Sequence, residues 1–286
     1  VITRYATTMN LANRRFDRRR ATLAETASAL QMRSAQYTYY RANKWPIQPR
    51  RYTAPSGATP AFTGYPRWFF AALAFRGSGP VSRDVPVFVQ KSAGAPWQAA
   101  YVPLAAGSTF ALGKSIRVAD VPDVVPPGDA GLVLPPDRLA SSYADVLSRG
   151  TRSANARQFR LSGLLTARFR YVRTNREVLP KLNWKGYYRP RASAHPTYAV
   201  RTTSGGALVW CAVDFATAAR NQGNRKITFT VASYGDQARA FLGKLLISKS
   251  YTGLEREEIL AYVPPKGKGK IQILAQRWSP LALKGR

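Results

Sequence analysis

The sequence predicts an α+β fold of two tandem units, each opening with helices and closing with an antiparallel sheet that curls around them. Three observations carry this. Residues 1–31 place Ile2, Tyr5, Met9, Ala12 and Phe16, then Leu23, Ala27 and Leu30, at the three-, four- and seven-residue spacings of one or two amphipathic helices. A second helical pattern starts at Asp137, and each helical opening is followed by apolar runs bounded by Gly and Pro that read as strands. Between the two, residues 118–136 (VADVPDVVPPGDAGLVLPP) hold Asp120, Asp123 and Asp129 with no Lys or Arg, a sharp change of composition. The expected organisation is an N-terminal α+β domain over 1–117, a Pro/Gly/Asp-rich linker over 118–136 and a C-terminal α+β domain over 137–286.

Taken in order, Asp17 is placed to cap the second N-terminal helix. After the Pro-rich passage from Trp45 to Pro66 come strands at Trp68 to Phe75, Val85 to Lys91 and Trp97 to Leu104, the last two joined by a turn at Ser92 to Pro96. In the second unit the helix from Asp137 to about Leu147 puts Leu139, Tyr143, Val146 and Leu147 on one face, and an irregular basic stretch follows. Strands at Thr197 to Thr202 and Ala207 to Phe215, a helix near Asp236 to Leu242 and a hairpin of Ile259 to Val263 with Ile271 to Trp278 complete it. The segments 84–105 and 261–282 can be laid over one another without gaps, both ending in Pro-Leu-Ala, which suggests duplication. Trp68, Phe70, Trp97, Tyr101, Trp210 and Trp278 are expected in cores, because they lie in alternating patterns beside apolar neighbours.

Composition narrows the chemistry. The 286 residues are 45% hydrophobic, enough for packed cores, and the net charge of +30 comes from 44 Lys and Arg against 14 Asp and Glu. Such a surface favours polyanions: nucleic acid, acidic envelope polymers or anionic lipid. One cysteine, Cys211, allows no intrachain disulfide and leaves the compartment open, cytoplasmic included. The longest uncharged run, from Lys91 to Lys114, contains Pro96 and Pro103 and does not read as a membrane span. The chain opens at Val1 without a leader pattern, as a mature or trimmed form would.

With one histidine and one cysteine, neither His195 nor Cys211 has a soft or imidazole partner, so no metal and no cofactor is expected. His195 with Asp214 as its orienting carboxylate is the one acid–base pair to consider, and a structural histidine at a turn, its pKa depressed by Arg189 and Arg191, is the alternative. No GxSxG elbow occurs, and no catalytic residue is assigned. Glu255, Glu257 and Glu258 cluster beside Arg256, on what reads as a surface turn or short helix. Lys266, Lys268 and Lys270 alternate with glycine in a segment that lacks the GxxxxGK(S/T) phosphate-loop pattern and reads as a hairpin tip.

Positive charge is concentrated in two places. Arg14, Arg15, Arg18, Arg19 and Arg20 form a knot near the N-terminus. The stretch from Arg157 to Arg191 carries ten cations, among them Arg168, Arg170, Arg173, Arg176, Lys181, Lys185, Arg189 and Arg191, with Glu177 as the only acid. Tyr171, Trp184, Tyr187 and Tyr188 are interleaved with them; arginine forks clamp phosphate or carboxylate oxygens while rings stack on bases or sugars. A solvated basic face over an aromatic core is the competing reading.

Thr63-Gly64-Tyr65-Pro66-Arg67-Trp68-Phe69, Leu134-Pro135-Pro136-Asp137-Arg138-Leu139 and the opening RYATTMNLANRRFD resemble an uncharacterised family of actinobacterial secreted proteins and lipoproteins. The order of helices and curled sheet is similar to the cystatin-like α+β fold of nuclear-transport-factor-2-like domains, which implies a cone with a pocket between helix and sheet. The sequence thus leads to a non-enzymatic, extracytoplasmic binding or structural protein, secreted or anchored through another segment, that engages an anionic polymer or an acidic protein partner through an Arg-rich face. A nucleic-acid-binding protein is the first alternative and a small-molecule pocket enzyme the second; self-association into a homo-oligomer stays open.

Overall fold

The computed structural model describes residues 1–75, 81–105, 116–223, 226–229 and 235–286. Helices α1 (Ile2–Arg15), α2 (Arg18–Ala21) and α3 (Ala27–Ala42) open the chain. Strands β1 (Thr53–Ala58), β2 (Arg67–Phe75), β3 (Ser82–Asp84), β4 (Val87–Gln90), β5 (Gln98–Tyr101) and β6 (Leu104–Ala105) form the first antiparallel sheet. Helices α4 (Pro136–Arg149) and α5 (Gly163–Lys181) precede a second antiparallel sheet of β7 (Trp184–Ala192), β8 (Tyr198–Arg201), β9 (Ala207–Asn221), β12 (Ser250–Val263) and β13 (Gln272–Gly285). A short pair, β10 (Ile227–Thr228) with β11 (Leu246–Ile247), and helix α6 (Gly235–Leu242) lie between β9 and β12.

Strand periodicity builds these elements into four layers. On β9, Val209, Cys211, Val213 and Phe215 point to the α4–α5 side, where they meet Leu139, Tyr143, Leu165 and Val172. The alternate residues Leu208, Trp210 and Ala212 point to the first sheet and pack on Phe70, Val85, Val87 and Tyr101. Because both faces are covered, this strand reads as an unbroken apolar run. The first sheet in turn packs Leu73, Phe88 and Val102 beneath Tyr5, Met9 and Tyr37 of α1 and α3. The two sheets therefore face each other, with helices outside. Their contact is fixed by polar bonds as well: Trp210 Nε1 donates to Val85 O at 2.9 Å, Tyr101 OH to Pro196 O at 2.9 Å and Val102 N to Glu258 Oε2 at 2.8 Å.

Prolines shape the sheets. Without an N–H to give, Pro86 splits the crossing into β3 and β4, which pair with opposite ends of β2 (Leu73↔Asp84 and Phe70↔Val87). Pro103 separates β5 from β6 in the same way, and Pro280 sits at a register shift of β12 with β13. The shared Pro-Leu-Ala thus marks an interruption of regular pairing in both, a break between strands at Pro103 and a register shift at Pro280. The ungapped overlay itself fails: the turns lie at 91–97 and 264–271, so it would lay the first turn over 268–274, partly inside β13.

Segment 118–136 runs along the second sheet, with Val125 N bonded to Ala199 O at 3.0 Å and Val133 N to Pro264 O at 3.0 Å, and it contributes Val125, Leu132 and Leu134 to the core under α4. Asp17 caps α2 as the sequence implies, accepting from Arg20 N at 3.0 Å. Two helices exceed their sequence reading. α3 continues to Ala42 because its inward positions beyond residue 31 include Arg33 and Tyr37 beside Met32 and Ala35, and α5 occupies the stretch read as irregular because its inward face is Leu165, Arg168, Val172 and Leu179. A charged residue on the buried stripe hides the helical period. Of the six aromatic residues expected in cores, Trp68, Phe70, Tyr101 and Trp210 are buried, while Trp97 and Trp278 are half-buried. No helix among the described residues is long and apolar enough to cross a membrane.

Candidate functional site: buried acids and an exposed basic face

Four charged residues in a row, Glu255 to Glu258, are all buried in the middle of β12, a central strand, and not on a surface turn. Alternation splits them between two partners. Glu255 and Glu257 face α5, where Tyr188 OH (2.6 Å), Tyr171 OH (3.1 Å) and Trp278 Nε1 (3.0 Å) donate to Glu255. Arg168 Nε lies 3.0 Å from Glu257 Oε2, and its guanidinium sits 5.0 Å from the rings of Tyr171 and Phe215. Arg256 and Glu258 face the first sheet. Arg256 forks onto both oxygens of Asp214 (2.7 and 3.1 Å) and its third nitrogen donates to His195 Nε2 at 2.7 Å.

Burial pushes the carboxyl groups of Glu255, Glu257 and Glu258 above the usual carboxylate range, partly offset by the donors around Glu255 and by Arg168 beside Glu257. Burial also holds His195 below its ordinary value, with Arg256, rather than Arg189 or Arg191, as the nearby cation. Asp214 does not orient His195, since Arg256 stands between them. Cys211 is buried, and its thiol is pushed far up by desolvation.

The N-terminal helices and the first sheet use the same device. Glu25 receives Arg33 through Nε at 3.2 Å and Nη2 at 3.0 Å, together with Tyr5 OH at 3.1 Å. Asp84 is held by Arg50 and by Tyr52 OH at 2.6 Å. A cavity of about 270 Å³ between α1, α3 and residues 46–52 is lined by Arg33, Arg50, Tyr5, Tyr52, Asn10 and Phe75, and a smaller one of about 50 Å³ lies beside Glu255. Across the molecule six of the 14 acids are buried (Glu25, Asp84, Asp214, Glu255, Glu257, Glu258), against three cations among the described residues (Arg33, Arg168, Arg256). The surface is consequently more basic than the net charge alone indicates.

The residues expected to bind a polyanion divide accordingly. Arg168 is buried at 8% exposure, and Arg176 is structural: its Nε donates to Tyr188 O at 2.8 Å and its Nη2 to Ser148 Oγ at 3.2 Å, tying α5 to β7 and α4. Of the four rings expected to stack, Trp184 and Tyr188 are buried and Tyr171 is bonded to Glu255, whereas Tyr187 is 46% exposed. Arg170, Arg173 and Lys181 are exposed along α5, with Arg173 3.6 Å from Glu177. On β7, Lys185, Arg189 and Arg191 are exposed on the face that carries Tyr187, and Arg189 lies over the Tyr187 ring at 5.2 Å. Arg220, not singled out by the sequence, stands opposite Lys185 on β9.

The N-terminal knot exposes Arg14, Arg15, Arg18 and Arg19, with Arg20 half-buried and 3.9 Å from Asp17. Arg41 joins it, donating to Phe16 O at 3.0 Å. The knot and β7 border the same edge of α3: Arg18 bonds Thr38, and Gln31, two helical turns earlier, meets His195 and Arg256 beside the end of β7. Lys266, Lys268 and Lys270 are exposed at the tip beyond Val263, which pairs with Ala207, whereas Lys185 pairs with Arg220. At about 3.3 Å per residue along β9 the tip lies roughly 40 Å from that pair and is a separate patch.

Residues 1–281 match the family described as Domain of unknown function (DUF8094), and the chain belongs to that family. Over 173 residues it is 30% identical to a protein of Streptomyces avermitilis named Uncharacterized lipoprotein, a match covering 57% of this chain and 46% of that protein. The chain therefore spans about half the length of that curated relative. No solved structure matches it.

Proposed function

We propose that this chain is a non-enzymatic, extracytoplasmic binding or structural protein whose basic surface engages an anionic polymer. The observation that carries this reading is the partition of charge: six acids are withdrawn into the interior with donors around them, while most cations stay outside with few carboxylates to meet. Ion pairs hold Glu25, Asp84, Asp214 and Glu257, and neutral donors meet Glu255 and Glu258, but these contacts leave most of the outer charge without a structural use. An uncompensated surface of this kind attracts polyanions over long range and in a salt-sensitive way. The lipoprotein named among its relatives supports a location outside the cytoplasm, at the cell envelope.

We read the chain further as two tandem units of nuclear-transport-factor-2-like kind joined through their sheets. The support is that each sheet follows its own helices and ends in a hairpin, and that each unit buries carboxylates between helix and sheet. An acidic protein surface would suit the same face. Nucleic acid is favoured less, because base stacking needs open rings and three of the four candidates are packed or bonded. A pocket enzyme finds little support, since His195 rests on a guanidinium and the β12 glutamates are closed in by donors or apolar neighbours. The test is titration of the chain with anionic polymers at low and moderate salt: a face making about six contacts should lose roughly a thousand-fold in affinity between about 50 and 200 mM salt. Failure to bind any of them at the lower salt would refute the reading.

A further inference from the structure

We propose that β7, with Arg220 beside it, is a track for an extended phosphodiester polymer carrying one phosphate per six backbone bonds, the repeat of a glycerol-phosphate chain. This deepens the reading above and rests on it. Lys185, Tyr187, Arg189 and Arg191 share one face of an outer strand and all four are exposed. Residues two apart on a strand stand about 6.8 Å from each other. Two peptide residues contain six backbone bonds, as does the path from one phosphorus to the next through a three-carbon bridge. An extended polymer of that kind repeats at about 7 Å, so its phosphates fall in register with the side chains.

The charges on this track are uncompensated. Lys185 and Arg220 are directly opposite in an antiparallel ladder, a like-charge pair that destabilises the sheet unless an anion sits between them. The nearest carboxylate on the same face, Asp214 opposite Arg191, is held by Arg256 through both oxygens. Among the described residues, no ion pair engages Lys185, Arg189, Arg191 or Arg220. Ala216 and Ala218, opposite Arg189 and Tyr187, leave a shallow floor beside the cations, and the Tyr187 hydroxyl can donate to a phosphate where the series lacks a charge. A single-stranded nucleic acid has the same six-bond repeat. Its bases, however, would find Tyr187 as the one exposed ring of the four candidates, with Arg189 already over it.

The test uses the full chain with synthetic glycerol-phosphate oligomers of about two, four and eight repeats, sodium polyphosphate and oligothymidylate. Glycerol-phosphate binding should strengthen up to about four repeats, the roughly 20 Å from residue 185 to 191, and change little beyond. In K185Q/R189Q/R191Q/R220Q the slope of log affinity against log salt should flatten by about 2 to 3, with affinity falling about 10- to 100-fold. The pair K185Q/R220Q alone should give about half that change in slope, which preserves the test should the quadruple variant fold poorly. R14Q/R15Q/R18Q/R19Q should weaken all polymers alike. Equal affinity for polyphosphate and glycerol phosphate at matched charge, or unchanged binding by the β7 variants, would overturn the track and leave the general basic reading standing. Tighter binding of oligothymidylate, lost on Tyr187→Ala, would overturn it in favour of nucleic acid. Failure of every polymer to bind wild-type protein would overturn both.

Discussion

Removing the Arg168 guanidinium should destabilise the fold without touching polymer binding. Arg168 is 8% exposed and Glu257 fully buried, and no other cation is bonded to that carboxylate. Arg168→Met keeps the aliphatic volume among Tyr171, Phe215 and Trp278 but strands Glu257 in an apolar layer beneath α4 and α5. Breaking a buried pair from one side costs about 3–5 kcal/mol, since the remaining charge keeps its desolvation penalty. Replacing both partners, as R168M/E257L, should return most of that loss, because two apolar groups of similar size carry no such penalty. The measurement is urea unfolding of wild type, both single variants and the double variant, at low and high salt. Salt should change the cost little, as buried pairs are weakly screened. A near-neutral Arg168→Met accompanied by weaker polymer binding would refute the assignment and return Arg168 to the surface.

Other outcomes follow from the same packing. Trp210→Ala removes a fully buried indole that packs on Phe70 at 5.0 Å and bonds Val85 O across the sheets, and should cost about 3–5 kcal/mol in chemical unfolding; a shift under about 1 kcal/mol would remove the sheet-on-sheet core from the argument. Glu255, Glu257 and Glu258 are raised in the folded protein, so between their ordinary and their folded values the native state binds more protons than the unfolded chain. Their contribution is full below the ordinary value near 4.5 and is lost as pH rises through the folded values, so acidification from neutrality into that window should increase stability. Glu258→Gln, which keeps the acceptor for Val102 N, should flatten that profile; identical profiles for variant and wild type would count against it. At Gly186 an added Cβ would fall 2.3 Å from Ala218 O, so Gly186→Ala should destabilise the β7 edge by about 1–3 kcal/mol, read as faster amide exchange there.

Strands with ordinary apolar alternation, such as Trp68 to Phe75, were legible in the sequence, as were the hairpins punctuated by Gly and Pro. Helix α5 was not, because one of its four inward residues is Arg168, and a stripe with a cation in it scores as surface. The same physics hid Glu255 to Glu258. A run of charge reads as solvated until the partners that compensate it, Arg168 from α5, Asp214 from β9 and Tyr188 from β7, are brought alongside by tertiary structure. Arg220 was overlooked for the opposite reason: as a lone cation near the end of a strand it has no significance until the register sets it against Lys185. The knot at Arg14 to Arg19 needed no such information, since two neighbouring helices with so few acids have no local means of neutralising it.

Whether the exposed cations are a binding face can be decided by the salt dependence of affinity for a glycerol-phosphate polymer, measured by titration calorimetry on wild type, K185Q/R189Q/R191Q/R220Q and R168M/E257L. Wild type and the buried double variant should share one steep log–log slope, with a magnitude of about 3 or more, and the exposed variant should be flatter by about 2 to 3. A wild-type slope near zero, or a slope that flattens in R168M/E257L and stays steep in the exposed variant, would contradict the assignment of binding to the surface and structure to the interior.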